Sequence, residues 1–418
     1  MNETKRPDNQ LYAGWIVLAA CFTSAMLIIG GSIYIYQLFV LPVTNEFGIS
    51  RGQASYAFIA MLIGIAFWSP ILGKLYDRIT VKWLMPAGAL AYTMGMVTIS
   101  QSASLYIMLA AIFLLLGPAM VLAGGLAANT ITTRWFEKRR GRALGIAAIA
   151  SSAGGFLMVP ASTLLVEGYG WRTALLTLGV TIGAVIIFIG LFVVRDRPTI
   201  IEREQTDEFA ERTNNEENLD GPQWTFLKLL ASRNFWLVTV GVGLLLASDQ
   251  AILTSQYPYL VDIGFSAAQA ASVVTAMTGS AIAGKLIVGF LAERWDIRWL
   301  FVVVAAFHGL LLGIFLLQPS FTIMLLFASI FGAAVGGVYP VWSVLCSQVF
   351  GARSFGVSFG AMALFTQILA MIFVAYINNS HDNTGSYQTA FSVFLIAVFL
   401  SIFMIVFVRA KEVETAAP

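Results

Sequence analysis

The 418-residue chain is 58% hydrophobic, carries charge on only 11% of its residues and has a net charge of +2. A soluble protein of this length carries charge on about a quarter of its residues, so the composition excludes an ordinary soluble enzyme or binding domain. The chain has two histidines and two cysteines with no metal-site spacing, so we expect no enzymatic activity and no cofactor.

Apolar runs of about eighteen or more residues recur along the chain, and each is long enough to cross a hydrocarbon core of roughly 30 Å. They predict twelve membrane-spanning helices, at 13–40, 52–73, 82–101, 104–128, 140–166, 172–194, 234–260, 267–292, 298–318, 320–348, 355–378 and 385–409. A charged stretch rich in Glu and Asn separates the sixth span from the seventh. The sequence therefore predicts an all-α membrane protein with an N-terminal six-helix bundle (1–194), a cytoplasmic linker (195–232) and a C-terminal six-helix bundle (233–418).

The basic residues are distributed unevenly between the two sides of the predicted membrane. With a cytoplasmic N-terminus, 21 of the 24 Lys and Arg fall in cytoplasmic segments, and the outer loops hold only Arg51 and Arg172. Positive charge in short loops stays inside, so we expect both termini in the cytoplasm. The N-terminus does not read as a cleaved signal, and both cysteines fall within spans, which suits a bacterial inner membrane. We expect a monomer embedded in the lipid bilayer, without nucleic-acid partners.

The two halves repeat each other after their second spans. GKLYDRITVKWL (73–84) and GFLAERWDIRWL (289–300) share Gly, Leu, Arg, Trp and Leu at matching places. Parallel repeats of this kind are the plan of one large class of transporters. The first copy resembles the G-x-L-x-D-R-x-G-R-K/R loop motif of the major facilitator superfamily, with Thr80 and Val81 replacing the later Gly and basic residue. In the second copy Asp296 replaces that Gly. The resemblance implies the major facilitator fold, with two pseudo-symmetric six-helix bundles.

Four charged residues of these motifs are candidates for gating: Asp77, Arg78, Glu293 and Arg294. An acidic side chain at the membrane face can pair with the positive end of a neighbouring helix or with an arginine. Such contacts can close the inner gate in one conformation and break in the other. Simple anchoring of the topology is the alternative.

Further stretches resemble the monocarboxylate porters and the related oxalate/formate antiporters. They are YAGWIVLAA in span 1, RWFEKRRGRALGIAAIASSAGG between spans 4 and 5, PYLVDIGFSAAQA between spans 7 and 8, and GKLIVGFLAER in span 8. In those families an arginine of span 8, four residues before the glycine that opens the second motif, binds the substrate carboxylate. The matching residue here is Lys285, four before Gly289. The resemblance therefore implies that Lys285 binds an anionic substrate.

Only two charged residues, Lys285 and Asp249, fall well inside the predicted spans. A charge at the bilayer centre costs at least ~3 kcal/mol, so such residues usually face a cavity or a partner. Lys285 could bind substrate, pair with Asp249, reach back to the cytoplasmic face or serve packing alone. Asp249 could carry a coupling proton, line the outer half of the cavity, or be a partner for Gln250 and Gln256.

The resemblance also implies an aromatic wall around the anion. The matching positions are Tyr34, Tyr339 and Phe359, and Gln37 adds a polar group on span 1. Met362 and Gly125 stand where the antiporters carry a second cation and a further aromatic residue. A single cation favours a monoanion over a dicarboxylate.

Together these features predict a secondary active transporter of a small organic monocarboxylate, working by alternating access and coupled to protons by symport. An organic-anion exchanger and an exporter of a neutral or cationic hydrophobic compound, bound by Asp249, are the alternatives. A membrane sensor that moves no substrate is a third, less favoured because the linker is too short to hold a signalling domain.

Overall fold

The computed structural model describes residues 13–136, 140–198, 224–292, 294–351 and 354–408, without the side chains of 77, 140–142 and 356. All regular secondary structure in these residues is helical. In the first half the helices are α1 Ala13–Phe47, α2 Arg51–Tyr76, α3 Val81–Gln101 and α4 Leu105–Trp135, then α5 (140–169) and α6 (171–192), which Gly170 separates within Arg140–Phe192. In the second half they are α7 Arg233–Asp262, α8 Ala267–Ala292, α9 Ile297–Leu317, α10 Phe321–Phe350, α11 Phe355–Thr384 and α12 Gln388–Val406. The predicted twelve-helix membrane fold is confirmed.

Two faces of the bundle follow from this order of helices. The terminal face carries residues 13 and 408 and the connections after each even-numbered helix, and the distal face carries the connections after each odd-numbered one. At the terminal face Arg134 Nη1 lies 3.1 Å from the Asp196 carboxylate, which accepts the backbone N–H of Val81 at 2.7 Å. These contacts join the ends of α4 and α6 to the start of α3.

The last part of the predicted linker packs on the second half. The backbone N–H of Trp224 donates to Ser354 Oγ at 3.0 Å, and its indole meets the Phe350 ring edge-on with centroids 5.4 Å apart. A short helix, Phe226–Ala231, follows and leads into α7. Residues 199–223, the middle of the predicted linker, lie outside the described residues.

A wide π-turn, Gly30–Tyr34, interrupts α1 halfway across the membrane. A Cβ on Gly30 would lie 2.6 Å from the backbone of Gly154 on α5, so only glycine allows this approach. Tyr92 Oη donates to the Gly31 carbonyl in the same turn at 2.6 Å. Such π-turns recur at functional sites because the extra residue redirects the side chains that follow. Tyr34 ends this one.

Helices α8 and α10 cross closely along three glycines. Cβ atoms on Gly284, Gly332 and Gly336 would lie 2.5–2.9 Å from backbone carbonyl carbons of the facing helix. Small residues let membrane helices approach in this way. The crossing sets how far Lys285 on α8 lies from Tyr339 on α10.

Gly284→Ala is expected to destabilise the protein by about 1–3 kcal/mol, because the added methyl group forces the backbones of α8 and α10 apart. Gly289→Ala is the matched control. Gly289 lies on the same helix, α8, and a Cβ there would meet no atom within 4 Å. The measurement is thermal unfolding of the purified variants in detergent. Equal melting temperatures for the two variants would contradict the close crossing.

Candidate substrate site

Lys285 bridges the two halves about two helical turns before the terminal-face end of α8. Its Nζ donates to the Ala148 carbonyl oxygen at 2.7 Å and to Ser151 Oγ at 2.6 Å, both on α5. The side chain, half-buried, therefore crosses to the opposite half and does not extend to the membrane surface. An ammonium has three N–H donors, so one remains after these two hydrogen bonds. Both acceptors are neutral.

Asp249 on α7 lies near this ammonium without touching it. Its half-buried carboxyl group lies within electrostatic range of Lys285, Tyr34 and Tyr339. In the described residues no salt bridge within 4.0 Å joins Asp249 to Lys285. The two opposite charges are thus close enough to influence each other without forming an ion pair.

Tyr34 completes the N-terminal side of this arrangement. Its ring packs over Gly155, where a Cβ would lie 2.6 Å from Tyr34 Cδ1 and 2.8 Å from Thr278 Cγ2 of α8. Its hydroxyl faces Ser151 and Ser152 of α5. The sequence did not point to these serines, because a Ser-Ser-Ala-Gly-Gly stretch in a membrane helix usually signals close packing.

The second half of the protein contributes an aromatic cluster, which lies on α10 and α11. Tyr339 is 49% exposed although it lies within α10, and its ring centroid is 5.6 Å from that of Trp342. Trp342 stacks on Phe359 at 4.1 Å, and Phe359 stacks in turn on Phe355 at 5.2 Å. Among the described residues the buried Trp342 indole N–H has no partner. Trp342 was missed because one tryptophan in an apolar run does not stand out.

Gln37 has a different environment from the one predicted for a substrate ligand. It is fully buried, its Oε1 accepts the backbone N–H of Tyr257 on α7 at 3.1 Å, and its Nε2 donates to the Tyr34 carbonyl at 3.2 Å. In this conformation both ends of the Gln37 amide are hydrogen-bonded to backbone groups, and the amide ties α1 to α7.

The structure describes the side chains of only two of the four predicted gating residues at the terminal face. Arg78 is exposed, and the Arg294 guanidinium, in the turn after α8, lies 4.2 Å from the centroid of the Phe290 ring on α8. The Asp77 side chain and Glu293 lie outside the described residues. Asp296 caps α9, and hydrogen bonds from the Arg298 side chain hold the pKa of Asp296 below its usual range. Gating by this motif stays a prediction.

A charged cluster at the distal face, which we call the distal cluster, consists of Arg51, Asp262, His381, Asp382 and Tyr387. Arg51 forms a two-pronged ion pair with Asp262, with Nη2 to Oδ1 at 2.7 Å, and donates to Tyr387 Oη at 2.8 Å. The Asp382 carboxylate accepts the backbone N–H groups of Arg51 and the next residue at 2.9 and 2.7 Å. The first half thereby contacts α7, α11 and the residue before α12 of the second half.

The distal cluster joins the two halves of the protein at the distal face. The carboxylate of Asp382 occupies the N-terminus of α2, where the helix dipole and free N–H groups favour an anion. The sequence analysis assigned Arg51 only to an outer loop. Its position at the start of a predicted helix was the signal that could have indicated an anionic partner there. In the described ranges no group of three or more His, Cys, Asp or Glu side chains could hold a metal ion.

Comparisons with known proteins agree with this architecture. The sequence matches the family model of the Major Facilitator Superfamily over residues 20–375 and 242–418. Monocarboxylate transporter 12 of Rattus norvegicus is 22% identical over 96% of this chain and 86% of its own length. The uncharacterized transporter YhjX of Escherichia coli (strain K12) is 23% identical over 86% of each chain.

Solved structures show the same fold at low identity. A variant of the nucleoside transporter NupG superposes with a TM-score of 0.74 at 14% identity, covering 94% of this chain and 99% of its own. A bacterial homolog of the human lysosomal transporter Spinster gives 0.68 at 16% identity, covering 96% and 95%. With its twelve helices and a family match over most of its length, the chain belongs to the major facilitator superfamily.

Proposed function

We propose that this protein is a secondary active transporter that carries a small organic monocarboxylate with a proton by alternating access. The observation that carries the proposal is the Lys285 ammonium, held between the two halves by neutral acceptors alone. The name of the relative from Rattus norvegicus, Monocarboxylate transporter 12, supports the substrate class. We place the protein in a bacterial inner membrane with cytoplasmic termini, so the distal face is the outer one.

The charge on Lys285 supports an anionic substrate. A cation inside the membrane is costly and needs a compensating partner. Neutral oxygen atoms solvate the ammonium, and Asp249 does not contact it, so a substrate carboxylate would be the first anion to meet it at contact distance. Only one cation lies at the site among the described residues, which suits a monoanion.

The neighbouring aromatic side chains support a small organic body on that anion. Small-molecule sites are mostly apolar walls with a few placed polar groups. Tyr34 on the first half and Tyr339 on the second provide such walls, and Trp342, stacked on Phe359, packs against the Tyr339 ring. We propose that the substrate carboxylate meets Lys285 while its carbon chain lies against these rings.

Charge balance at the site supports proton coupling. Ionised Asp249 and Lys285 together carry no net charge, and a bound monoanion would leave an excess of one negative charge inside the membrane. A proton on Asp249 restores neutrality, so the anion and the proton are best carried together. This makes Asp249 the proposed coupling residue and favours a ratio of one proton to one anion.

Uptake into proteoliposomes tests the proposal. We expect uptake of at least one labelled monocarboxylate, such as propionate or lactate, to rise when the outer solution is acidified, while its amide is not carried. Oxalate is the dicarboxylate comparison. Trans-stimulation without any uptake driven by the proton gradient would indicate an exchanger, transport of lipophilic cations alone would indicate the exporter, and binding without transport would indicate a sensor. Each outcome contradicts the symporter.

A further inference from the structure

His381 is a titratable member of the distal cluster that the proposed transport mechanism does not use. Its Nε2 lies 3.4 Å from Asp262 Oδ2, and its ring lies 4.6 Å from the Tyr387 ring. Its side chain is 18% exposed, and its buried Nδ1 has no partner in the described part of the chain. Histidine is the side chain whose charge ordinarily changes between about pH 5 and 8.

The distal cluster brings charged or titratable groups near His381 from three helices and from the residue before α12. Arg51 comes from α2, Asp262 from α7 and Asp382 from α11 itself, and Tyr387 precedes α12. Of these only Arg51 belongs to the first half. Both carboxylates and the histidine therefore move together on the second half when the two halves separate.

We propose that His381 is a proton-binding site that releases the distal gate. With neutral His381, two carboxylates of the second half attract the Arg51 guanidinium and the positive end of α2. A proton on His381 removes about half of that net negative charge and competes with Arg51 for Asp262. Acid therefore weakens the attraction between the halves and favours the conformation that is open at the distal face.

Distances between two spin labels at the distal face test this proposal without any substrate. Asn45 at the end of α1 and Asn383 at the end of α11 are exposed positions for cysteine labels, and the native Cys21 and Cys346 are buried. In lipid nanodiscs, we expect the population with the longer distance to grow about threefold or more between about pH 8 and pH 5. His381→Gln should keep the short distance at both pH values.

Two further variants separate the gate from other titrating groups. His308→Gln removes the other histidine, which is buried in α9 away from the distal cluster, and should keep the pH response. Asp262→Asn leaves Arg51 without its ion-pair partner and should give the longer distance at every pH, provided that it elutes as a single species. A pH-independent distance in the wild type, or an unchanged pH response in His381→Gln, overturns the proposal.

The proposal is independent of the substrate assigned above. A protein that moves no carboxylate would still show the pH-dependent distance if His381 works in this way. Asp249→Asn should likewise leave the distance response intact, because Asp249 lies on α7 within the membrane and outside the distal cluster. Loss of the response in Asp249→Asn, but not in His381→Gln, would assign the effect to the central site.

Discussion

Replacing Lys285 with alanine is expected to lower carboxylate uptake about 30-fold or more at sub-saturating substrate. Removing one partner of a buried charge pair costs about 2–5 kcal/mol, and each 1.4 kcal/mol is tenfold in affinity. Lys285→Arg keeps the positive charge and offers a bidentate donor, so it should retain measurable uptake with a changed KM. The measurement is the initial rate of labelled monocarboxylate uptake into proteoliposomes.

Lys228→Ala provides the matched control for this experiment. It removes the same charge from the exposed surface of the short helix before α7, so uptake should stay at the wild-type level. The distal distance between labels at 45 and 383 shows whether Lys285→Ala still folds. Normal uptake by a folded Lys285→Ala would make the lysine structural, and the anion site would then have to lie elsewhere around Asp249.

Asp249→Asn is expected to abolish accumulation driven by a proton gradient while exchange of labelled for unlabelled substrate continues. Asparagine keeps the shape and polarity of the side chain but cannot exchange a proton, so the anion would cross without its coupling ion. Asp249→Glu should restore gradient-driven accumulation, since it replaces the carboxyl group. The measurement compares the steady-state substrate ratio with and without an inward proton gradient.

Accumulation by Asp249→Asn at the wild-type level would remove Asp249 from the coupling mechanism. It would leave anion binding at Lys285 untouched, because the two residues are not joined by a salt bridge in the described residues. Loss of both accumulation and exchange would instead assign Asp249 to substrate binding, as the exporter alternative requires.

The helix count was predictable because the bilayer imposes its thickness on every span. Each crossing needs about twenty apolar residues, so hydropathy alone separates twelve helices. The helix ends were less predictable. The span predicted at 13–40 continues to Phe47, and the span predicted at 355–378 continues to Thr384. Helical hydrogen bonding continues beyond the hydrocarbon region. The residues there are polar, so hydropathy no longer shows that they belong to the helix.

The distal cluster could not be predicted either, because most of its residues lie at helix ends outside the predicted apolar runs. Asp262, His381 and Asp382 lie on turns that extend beyond the predicted apolar runs, and Arg51 lies one residue before its run. They come from three helices far apart in the chain. Their ion pair and shared hydrogen bonds depend on how the halves meet at the distal face, which no local pattern encodes.

The sequence by itself determined the membrane class, the repeat of two halves and the choice of Lys285 and Asp249. A charge in an apolar run is costly and therefore conspicuous in any sequence. Only the tertiary structure decided what those charges contact. The glycine crossings bring α8 to α5 and α10, so Lys285 meets Ala148 and Ser151, and Asp249 stays apart from it. Contacts between helices depend on backbone separations of a few ångströms, which side-chain volumes set only after all twelve helices have packed.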